Sequence, residues 1–382
     1  MTFSSSQRIP LSKDERVRYS RHLALPEVGV EGQQRLKAAR VLCVGVGGLG
    51  SSCALYLAAA GVGTLGLVDP DRVDASNLHR QILFAEPDVG KRKVDIAQQR
   101  LQALNPHIHI PIYADLLNEA NALDLIQQYD VVVDGSDNFA TRYVVNDACA
   151  TLHKPQVYAS IFQFEGQLSV FHADTGPCYR CLYPEAPPID LIPNCTQGGV
   201  LGVLPGMMGS LQATETIKYI TRIGKPMIGR LLTVDARTLQ FNEYAVQKNP
   251  HCLLCHHHAD FYALPRPQAG CEFTLSALEN DEITVQELVL MIAQKTDFLL
   301  LDVREPFEYD ICNLSGKLIP LSTLSSRLPE LNPQQLIIVH CKTGGRGRKA
   351  AALLKQRGFH AKNLEGGILA WAKEVDSTLS EY

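Results

Sequence analysis

The stretch RVLCVGVGGLGSSCALYLAAAGVGTLGLVD, residues 40–69, decides the fold of the first half of the chain. An apolar run at 40–45 is followed by a glycine-rich turn, an alanine-rich segment ending near Ala60 and a second apolar run at 64–69. This order predicts a strand, a helix and a second strand. The turn G-V-G-G-L-G permits close backbone approach and places a helix N-terminus where phosphate can bind. Its glycines are Gly45, Gly47, Gly48 and Gly50.

Strands and helices continue to alternate beyond this unit. A helix is expected at 13–23, and apolar runs at 109–114 and 130–134 predict further strands with helices between them. The fold class is therefore α/β, with a Rossmann-like, doubly wound parallel sheet. After Pro155 the pattern predicts an antiparallel or mixed extension of that sheet and a long helix at 207–221. The strands of the extension are expected at 157–161, 166–172, 230–235 and 239–246.

The last hundred residues restart the α/β pattern. Helices are expected at 284–294 and 348–358, and strands at 298–303 and 335–340, which predicts a second, smaller α/β domain. The residues before it have prolines and no periodicity, as is typical of a linker. The predicted organisation is a first domain at 1–255, a linker at 256–280 and a second domain at 281–382.

The composition excludes several classes of function. The chain has 382 residues, 46% of them apolar and 20% charged, and a formal charge of −4. No basic field is available to recruit nucleic acid or an anionic membrane. Residues 1–11 lack the pattern of a signal peptide, and no apolar stretch reads as a membrane span. The 11 cysteines are an odd number, so we expect a cytoplasmic protein whose thiols serve metals or catalysis.

Polar and basic residues gather around the predicted glycine turn. Asp69 ends the second strand, where an acidic side chain can bind ribose hydroxyls. Alone, this pattern is also typical of NAD-dependent enzymes, but Arg80 and Lys93 add cations for a triphosphate and Asp137 adds a carboxylate for Mg²⁺. Taken singly, the two cations could be ordinary surface charges; together with Asp137 they favour an ATP site. The predicted site residues beyond the glycines are Asp69, Asp71, Ser76, Asn77, Leu78, His79, Arg80, Gln81, Lys93, Asp137 and Asn138.

These motifs carry a family resemblance. VGVGGLGS, LVDPDRVDASNLHRQ, GKRKVD and DGSDNFATRY resemble the MoeB/ThiF-type adenylyltransferases, relatives of the ubiquitin-activating enzymes, over nearly all of residues 12–256. The resemblance implies that Asp69 binds ribose and that Asp137 binds Mg²⁺ and stabilises the transition state. It implies phosphate contacts for Asn77, Arg80, Gln81 and Lys93. In the family an arginine of the neighbouring subunit completes the site; RYSRH matches that motif, which makes Arg21 the counterpart and implies a homodimer.

Two Cys-x-x-Cys pairs lie far apart in the first domain. Two such turns can bring four thiolates around one Zn²⁺ and leave no position open for water, so they predict a structural zinc site. The alternatives are two unrelated turns or a redox pair. His256, His257 and His258 follow the second pair and are expected to face solvent. The predicted ligands are Cys178, Cys181, Cys252 and Cys255.

Cys195 lies in the loop-like segment PNCTQGGVLG. A thiol on a mobile loop could reach an adenylate and form an acyl-enzyme. A cysteine at the matching place does this in related activating enzymes, although some bacterial relatives do not depend on it. The alternative is an ordinary loop residue. By contrast, Cys43, Cys53 and Cys149 fit buried positions.

Cys341 opens the loop C-K-T-G-G-R between an apolar strand and a helix. Such a loop aims backbone N–H groups inward and places the thiol at a helix N-terminus. Lys342, Arg346 and Arg348 would further lower the pKa of the thiol and stabilise a persulfide. A cysteine phosphatase would need the arginine one residue later, where this chain has Gly347. The loop therefore favours sulfur chemistry over phosphate chemistry.

The C-terminal region resembles a rhodanese domain over about 281–382. LLLDVREPFEYDICNLSGKLIPL resembles its opening and NLEGGILAWAKEV its end, which makes Asp302 and Arg304 architectural. The sequence departs from the family at Gly347, where a serine is usual; we expect this departure to change the preference of the loop among sulfur donors.

The combination of both domains resembles the adenylyltransferase–sulfurtransferases of molybdopterin synthesis and tRNA thiolation. It implies that ATP and Mg²⁺ activate the C-terminal Gly-Gly carboxylate of a small ubiquitin-like sulfur-carrier protein. Sulfur from a cysteine desulfurase or thiosulfate then passes through Cys341 to give a thiocarboxylate. Alternatives are adenylation with the rhodanese domain as a docking module, an NAD-dependent oxidoreductase, a non-catalytic assembly factor and an isopeptide-forming enzyme. A carrier serving thiamine or cysteine synthesis is also compatible with the motifs.

Overall fold

The chain divides into two compact units, Met1–Gly270 and Cys271–Tyr382. The structure, a computed structural model, describes residues 9–186, 199–265 and 282–379. Two residues of the predicted linker are anchored in the first unit. Phe261, in a short 3-10 helix at Phe261–Ala263, and Leu264 are both buried there.

The first unit contains a twisted eight-stranded sheet with helices on both faces. Its elements in chain order are α1 (Lys13–Arg18), α2 (Ser20–Leu23), α3 (Gly29–Ala38), β1 (Arg40–Val44), α4 (Gly48–Ala60), β2 (Thr64–Val68), α5 (Lys93–Leu104), β3 (Ile112–Tyr113), α6 (Ala122–Ile126), β4 (Val131–Asp134), α7 (Phe139–Thr151), β5 (Gln156–Phe162), β6 (Glu165–Phe171), α8 (Tyr179–Leu182), α9 (Val203–Thr221), β7 (Arg230–Asp235) and β8 (Gln240–Ala245).

The strand order is β3-β2-β1-β4-β5-β6-β7-β8. The first five strands are parallel and the last three antiparallel, which confirms the predicted doubly wound sheet with its extension. Side chains of β1 alternate between two cores: Val41 and Cys43 pack beneath α4, whereas Leu42 and Val44 pack beneath α7. This double burial explains why the strand reads as a continuous apolar run.

The predicted helix at 13–23 is interrupted at Tyr19, where the backbone leaves the helical region. The phenol is buried, accepts a hydrogen bond from Asn105 at 2.8 Å and lies against Gly61, where a Cβ would come 2.4 Å from its oxygen. This long-range anchor divides the segment into α1 and α2.

Two prolines explain the other boundary differences. Pro111 cannot donate to a strand ladder, and only Ile112–Tyr113 of the predicted strand at 109–114 pairs regularly with β2. The long helix α9 starts at Val203 rather than Met207 because Pro205 lies in its first turn, where N–H groups have no partner within the helix.

The second unit is a smaller α/β domain around a parallel five-stranded sheet of order β11-β10-β12-β13-β9. Apolar side chains of β12 alternate between two cores, one beneath α13 and one beneath α10 and α14. The elements in chain order are β9 (Glu282–Ile283), α10 (Val285–Ala293), β10 (Phe298–Asp302), α11 (Pro306–Ile311), β11 (Lys317–Leu318), α12 (Leu321–Arg327), β12 (Leu336–His340), α13 (Gly345–Gln356), β13 (Ala361–Leu364) and α14 (Gly367–Glu374).

A fully buried ion pair joins the centre of this sheet to α11. Asp302, at the end of β10, accepts hydrogen bonds from the Nε and Nη2 of Arg304 at 2.6–3.1 Å. The guanidinium also donates to the carbonyls of Glu308 and Cys312 and so fixes both the middle of α11 and its end. The pair therefore determines where α11 lies.

Replacing Arg304 by methionine is expected to destabilise the second unit by about 3–5 kcal/mol, because Asp302 becomes a buried, uncompensated charge. Trp371 is the only tryptophan of the chain and lies in α14, so urea unfolding followed by its fluorescence reports on this unit. Arg357→Met, at an exposed position, is the matched control and should change stability by no more than about 0.5 kcal/mol. Equal midpoints for the two variants would contradict the assigned role.

Candidate functional sites

The glycine turn lies at the carboxyl end of β1, where the strand order reverses between β1 and β4. Open α/β sheets bind ligands at this switch point. Gly45 has φ of +86°, and a Cβ on it would lie 2.9 Å from the carbonyl oxygen of Gly135. A Cβ on Gly50 would lie 1.9 Å from the carbonyl oxygen of Gly45. Gly47, by contrast, faces open space with only the Gln81 amide nitrogen 3.6 Å away, so the turn leaves room above the start of α4.

Asp69 and Lys93 lie beside this turn, both buried. One carboxylate oxygen of Asp69 accepts from the N–H of Val46 at 2.8 Å and the other from the N–H of Asp71 at 2.9 Å. Burial raises the pKa of Asp69, against the opposing effects of Lys93 and these two N–H groups. The Nζ of Lys93 pairs with the exposed carboxylate of Asp71 at 2.8 Å. The structure thus places a desolvated cation and a backbone-bound carboxylate next to the glycine turn.

The predicted segment 76–81 begins in a 3-10 helix at Ala75–Asn77 and continues as a turn whose residues Arg80 and Gln81 lie over the N-terminus of α4. Gln81 is buried, and its Oε1 has no hydrogen-bond partner within the described residues. Arg80 donates to the carbonyl of Ser76 at 2.9 Å, and its side chain lies near Gly48. These two residues therefore reach the turn. The other four residues of the segment contact their own neighbours instead. Ser76 donates to Asp74, and the carbonyl of Asn77 accepts hydrogen bonds within the turn. Leu78 packs on the core, and His79 contacts the carbonyl of Ser76.

Asp137 and Asn138 follow β4, the neighbour of β1, and are exposed. The side chain of Asn138 caps α7 by accepting from the N–H of Thr141 at 2.8 Å, a role that competes with ligand binding. The turn that carries Asp137 is held from within by Asp134, which is fully buried. The carboxylate of Asp134 accepts from the N–H and hydroxyl of Ser136 at 3.0 and 2.6 Å.

Two buried amides complete the support of this turn. Gln156 donates to the Asp134 carboxylate and Gln212 to its carbonyl oxygen, both at 2.8 Å. Sequence reasoning missed these three residues, although a carboxylate at the end of the otherwise apolar run VVVD was an available signal. Arg21 lies exposed on α2, and Cys195 lies outside the described residues.

The four cysteines of the two Cys-x-x-Cys pairs converge on one point. All four Sγ atoms lie within 4.8 Å of one another, with the closest pairs at 3.3, 3.6 and 3.8 Å. A tetrahedral Zn²⁺ with Zn–S bonds of about 2.3 Å requires sulfurs about 3.8 Å apart, so the donor set and its spacing fit zinc. Because the four thiols share hydrogen bonds, the pKa values of Cys181 and Cys252 are lowered, whereas those of Cys178 and Cys255 are raised. His256, His257 and His258 are exposed, as predicted.

A buried ion pair orients the first of these cysteine pairs. The guanidinium of Arg180 binds Asp147 of α7 through two hydrogen bonds of 2.7 and 2.8 Å. It also lies over the ring of Tyr143 and donates to the carbonyl of Pro265. The Cys178–Cys181 turn is therefore fixed to the sheet domain independently of any metal.

Cys341 follows β12, the central strand of the second sheet, and is buried. Its Sγ accepts from the N–H groups of Gly344 at 3.2 Å and Gly347 at 3.3 Å. Gly344 has φ of +92° and begins α13, so the loop turns back over the sulfur as the motif predicts. These inward N–H groups are suited to an anionic sulfur.

Two of the three cations predicted to surround Cys341 are paired with carboxylates. Arg346 forms a two-pronged ion pair with Glu308 at 2.5 and 2.6 Å, and Arg348 binds Glu282 at 2.6 Å. Since Glu308 belongs to α11, the Asp302–Arg304 pair also positions this arginine. The net positive field inferred from the sequence is thus partly compensated, and the backbone N–H groups carry more of the anion binding. The sequence did not indicate Glu308 or Glu282 as partners of these arginines, because both glutamates lie far from Cys341 in the chain.

Position 347 requires glycine because a side chain would not fit there, and not because of its backbone conformation. A Cβ at this position would lie 2.1 Å from the Oδ1 of Asn363, in β13. The departure from the usual serine is therefore accompanied by a side chain that fills the same volume.

Comparisons with known proteins agree with this geometry. Residues 19–254 match the model of the ThiF family, and residues 284–374 match the rhodanese-like domain. The chain is 44% identical to a probable adenylyltransferase/sulfurtransferase MoeZ of Mycobacterium tuberculosis, over 97% of this chain and 96% of that protein. It is 41% identical to the adenylyltransferase and sulfurtransferase MOCS3 of Bos taurus, over 98% of this chain and 89% of that protein. It is also 51% identical to a sulfur carrier protein adenylyltransferase of Thermus thermophilus, over 64% and 92%.

The fold and its loops define a two-domain enzyme of the adenylyltransferase and sulfurtransferase class. The chain belongs to the ThiF family and carries a C-terminal rhodanese-like domain. The family and the enzyme class predicted from the sequence are thereby confirmed.

Solved structures add a likeness of fold. A crystal structure of E. coli MccB with AMPCPP and MccA matches with a TM-score of 0.58 and 24% identity, over 63% of this chain and 74% of that chain. At this identity the match confirms the fold alone.

As to membranes, a helix of the length and apolarity needed for a crossing does not occur in residues 9–186, 199–265 or 282–379.

His340, immediately before Cys341, generates a pH prediction. Burial lowers the pKa of this imidazole to about 4, with Asp302 opposing the effect and Arg304 reinforcing it. In the unfolded chain the group takes up a proton near pH 6.5, so its contribution to folding is complete above that pH and is lost as the pH falls toward 4. The loss amounts to about 3 kcal/mol.

His340→Leu is expected to flatten the decline in the free energy of unfolding between pH 6.5 and 4, measured by urea titrations of Trp371 fluorescence. His360→Leu, at an exposed site on the same unit, should keep the wild-type decline. A parallel decline in all three proteins would show that His340 is not the group responsible.

Proposed function

We propose that this enzyme adenylates the C-terminal glycine of a small ubiquitin-like sulfur-carrier protein and then replaces an oxygen of the activated carboxylate with sulfur. The molybdopterin synthase small subunit is an example of such a carrier. The observation that carries the proposal is the presence in one chain of two loops at parallel strand ends, one suited to a nucleotide and one to an anionic sulfur. The names of the full-length relatives support the same pairing of activities.

ATP is proposed to bind over the glycine turn, with its phosphates near the N-terminus of α4. The room above Gly47, the donor Nε2 of Gln81 that faces it at 3.6 Å and the adjacent, buried Lys93 support this placement. Asp69, already bound to two backbone N–H groups, is the proposed ribose partner. Arg80 and Lys93 are the proposed partners of the phosphate oxygens, and this role requires Lys93 to exchange Asp71 for the ligand.

Mg²⁺ is the proposed metal of this site, since the exposed carboxylate of Asp137 is a hard oxygen donor at the switch point. The metal would offset charge on the phosphates as pyrophosphate leaves. Ser136 donates two hydrogen bonds to the buried carboxylate of Asp134, and these hold the turn that carries Asp137. Little conformational entropy would therefore be lost when Asp137 binds the metal.

The first reaction makes an unreactive carboxylate reactive. A carboxylate oxygen of the carrier attacks the α-phosphorus of ATP, the bond to the β-phosphate oxygen breaks, and an acyl-adenylate and pyrophosphate result. Arg80 and Lys93 stabilise the charge that develops on the phosphates. We propose that Arg21 of a second subunit contributes to the same site in a homodimer.

The second reaction uses sulfur carried on Cys341. The Cys341 thiolate attacks the outer sulfur of thiosulfate, and sulfite leaves, or the outer sulfur of a cysteine desulfurase persulfide, and the desulfurase thiolate leaves. A persulfide then remains in the N–H cradle. The terminal sulfur attacks the acyl-adenylate carbonyl, AMP departs and an acyl disulfide forms. A second thiol then reduces the disulfide and releases the carrier thiocarboxylate. Cys195 is the proposed alternative acceptor, which would form a thioester before sulfur transfer.

We place the enzyme in the cytoplasm, where its thiols would stay reduced.

The deciding experiment is intact-mass analysis of Gly-Gly carriers after incubation with this enzyme, ATP–Mg²⁺ and thiosulfate. The wild type should produce the mass gain of one oxygen-to-sulfur exchange. Cys341→Ala should abolish that gain but keep carrier-dependent ATP–pyrophosphate exchange, whereas Asp137→Ala should lower exchange by at least about 100-fold.

The contrary outcomes separate the two halves of the proposal. Exchange retained by Asp137→Ala removes that residue from the mechanism. Exchange by the wild type without any sulfur gain, with thiosulfate or with a desulfurase, leaves an adenylyltransferase whose rhodanese domain is a docking module.

Zinc in the four-cysteine cluster is proposed to be structural, because four thiolates fill a tetrahedral site. Metal analysis of protein purified without chelators should give about one zinc per chain, and Cys252→Ser should lose it together with thermal stability of the first unit. Cys312→Ser, in the second unit, is the control and should retain the metal. Zinc retained by Cys252→Ser, or absent from the wild type, would contradict the assignment.

A further inference from the structure

Asn363 lies beneath the Cys341 loop and has a polar atom that is not satisfied. It is fully buried in β13, and its Oδ1 has no hydrogen-bond partner within the described residues. Its Nδ2 donates to the carboxylate of Glu282 at 2.9 Å, while the same carboxylate oxygen accepts from Arg348 at 2.6 Å. Since a carboxylate only accepts hydrogen bonds, Glu282 fixes the amide with its nitrogen toward β9 and its oxygen toward the loop.

The oxygen of Asn363 occupies the volume that a side chain at position 347 would need. A Cβ built on Gly347 would lie 2.1 Å from Oδ1, well inside contact distance, with Val339 also close at 3.6 Å. The φ of Gly347 is not in the left-handed region, so only this contact demands glycine. Gly347 is also the residue whose N–H donates to the Sγ of Cys341 at 3.3 Å.

A buried amide oxygen without a hydrogen bond destabilises the fold, so its retention at this place points to a compensating role. The oxygen packs against the peptide that binds the sulfur, and it prevents Gly347 from sinking away from Cys341 toward β13. An N–H directed at sulfur favours the thiolate and persulfide over their neutral forms.

We propose that Asn363 is a positioning residue for sulfur transfer, which holds the Gly347 N–H against Cys341, and that Asn363 and Gly347 are compatible only as a pair. This inference rests on the proposed sulfur chemistry of Cys341. If the inference is right, a side chain at position 347 is compatible with sulfur transfer only when the side chain at position 363 has been shortened.

The test uses the full-length enzyme and three variants: Asn363→Ala, Gly347→Ser and the double variant. The first readout is the pH dependence of alkylation of Cys341 by iodoacetamide, followed by peptide mass analysis so that other thiols do not interfere. The second is the rate of sulfur transfer from thiosulfate to cyanide, with kcat and KM separated. Asn332→Ala, an exposed asparagine of the same unit, is the matched control.

Asn363→Ala should raise the midpoint pH of alkylation and lower kcat about tenfold, the effect of losing most of one hydrogen bond to an anion, with little change in KM. Gly347→Ser should lower kcat further. The double variant should recover to within about threefold of the wild type, because the serine fills the vacated volume. ATP–pyrophosphate exchange should remain unchanged throughout.

Wild-type activity in Gly347→Ser would overturn the steric pairing. An unmoved alkylation midpoint in Asn363→Ala, with only lower stability by Trp371 fluorescence, would reduce Asn363 to a packing residue and overturn the positioning role. If Gly347→Ser fails to fold, Asn363→Ala and the double variant still decide. If the wild type transfers no sulfur, the proposed function fails; a higher alkylation midpoint in Asn363→Ala than in the wild type would then still show that Asn363 holds the Gly347 N–H against the Cys341 thiolate.

Discussion

Both units depend on a constraint of space where a parallel strand ends and a helix begins. At these points backbone approaches backbone so closely that a single Cβ would not fit. In the first unit a Cβ on Gly50 would lie 1.9 Å from a carbonyl oxygen of the preceding turn, and in the second a Cβ on Gly367 would lie 2.4 Å from the carbonyl oxygen of Cys341. Close approach lets N–H groups of a helix start converge on a small volume, which is what anionic phosphate and anionic sulfur both require.

Three of the cations around these loops are already paired with carboxylates. Lys93 is held by Asp71, Arg346 by Glu308 and Arg348 by Glu282. Such pairs fix long side chains in place, and they also require an anion that approaches Lys93 to displace a carboxylate. The exchange costs least where the partner is exposed, as Asp71 is, and most where it is buried, as Glu308 is. We therefore infer that Lys93 turns to its ligand, whereas Arg346 remains part of the scaffold.

Much of this organisation could be predicted from the sequence because it is local. The glycine turn, the alternating apolar runs and the two Cys-x-x-Cys pairs each place chemistry within a few residues of a strand end or a tight turn. The interruption at Tyr19 could not be predicted, since it depends on a hydrogen bond to Asn105. The same holds for Asp134 with its two amides and for Glu308: their partners come from other elements, and only the fold brings them together.

The departure at Gly347 illustrates the limit more sharply. From the sequence it is a missing hydroxyl in a loop that otherwise matches a sulfurtransferase. In the fold it is half of a contact whose other half is Asn363, on a strand that pairs with β12 and β9. The volume of the missing side chain is filled by Asn363 from the neighbouring strand, and the Gly347 N–H still donates to the Sγ of Cys341. A motif read along the chain assigns function to single positions, whereas the sulfur site is built by residues that constrain one another across the sheet.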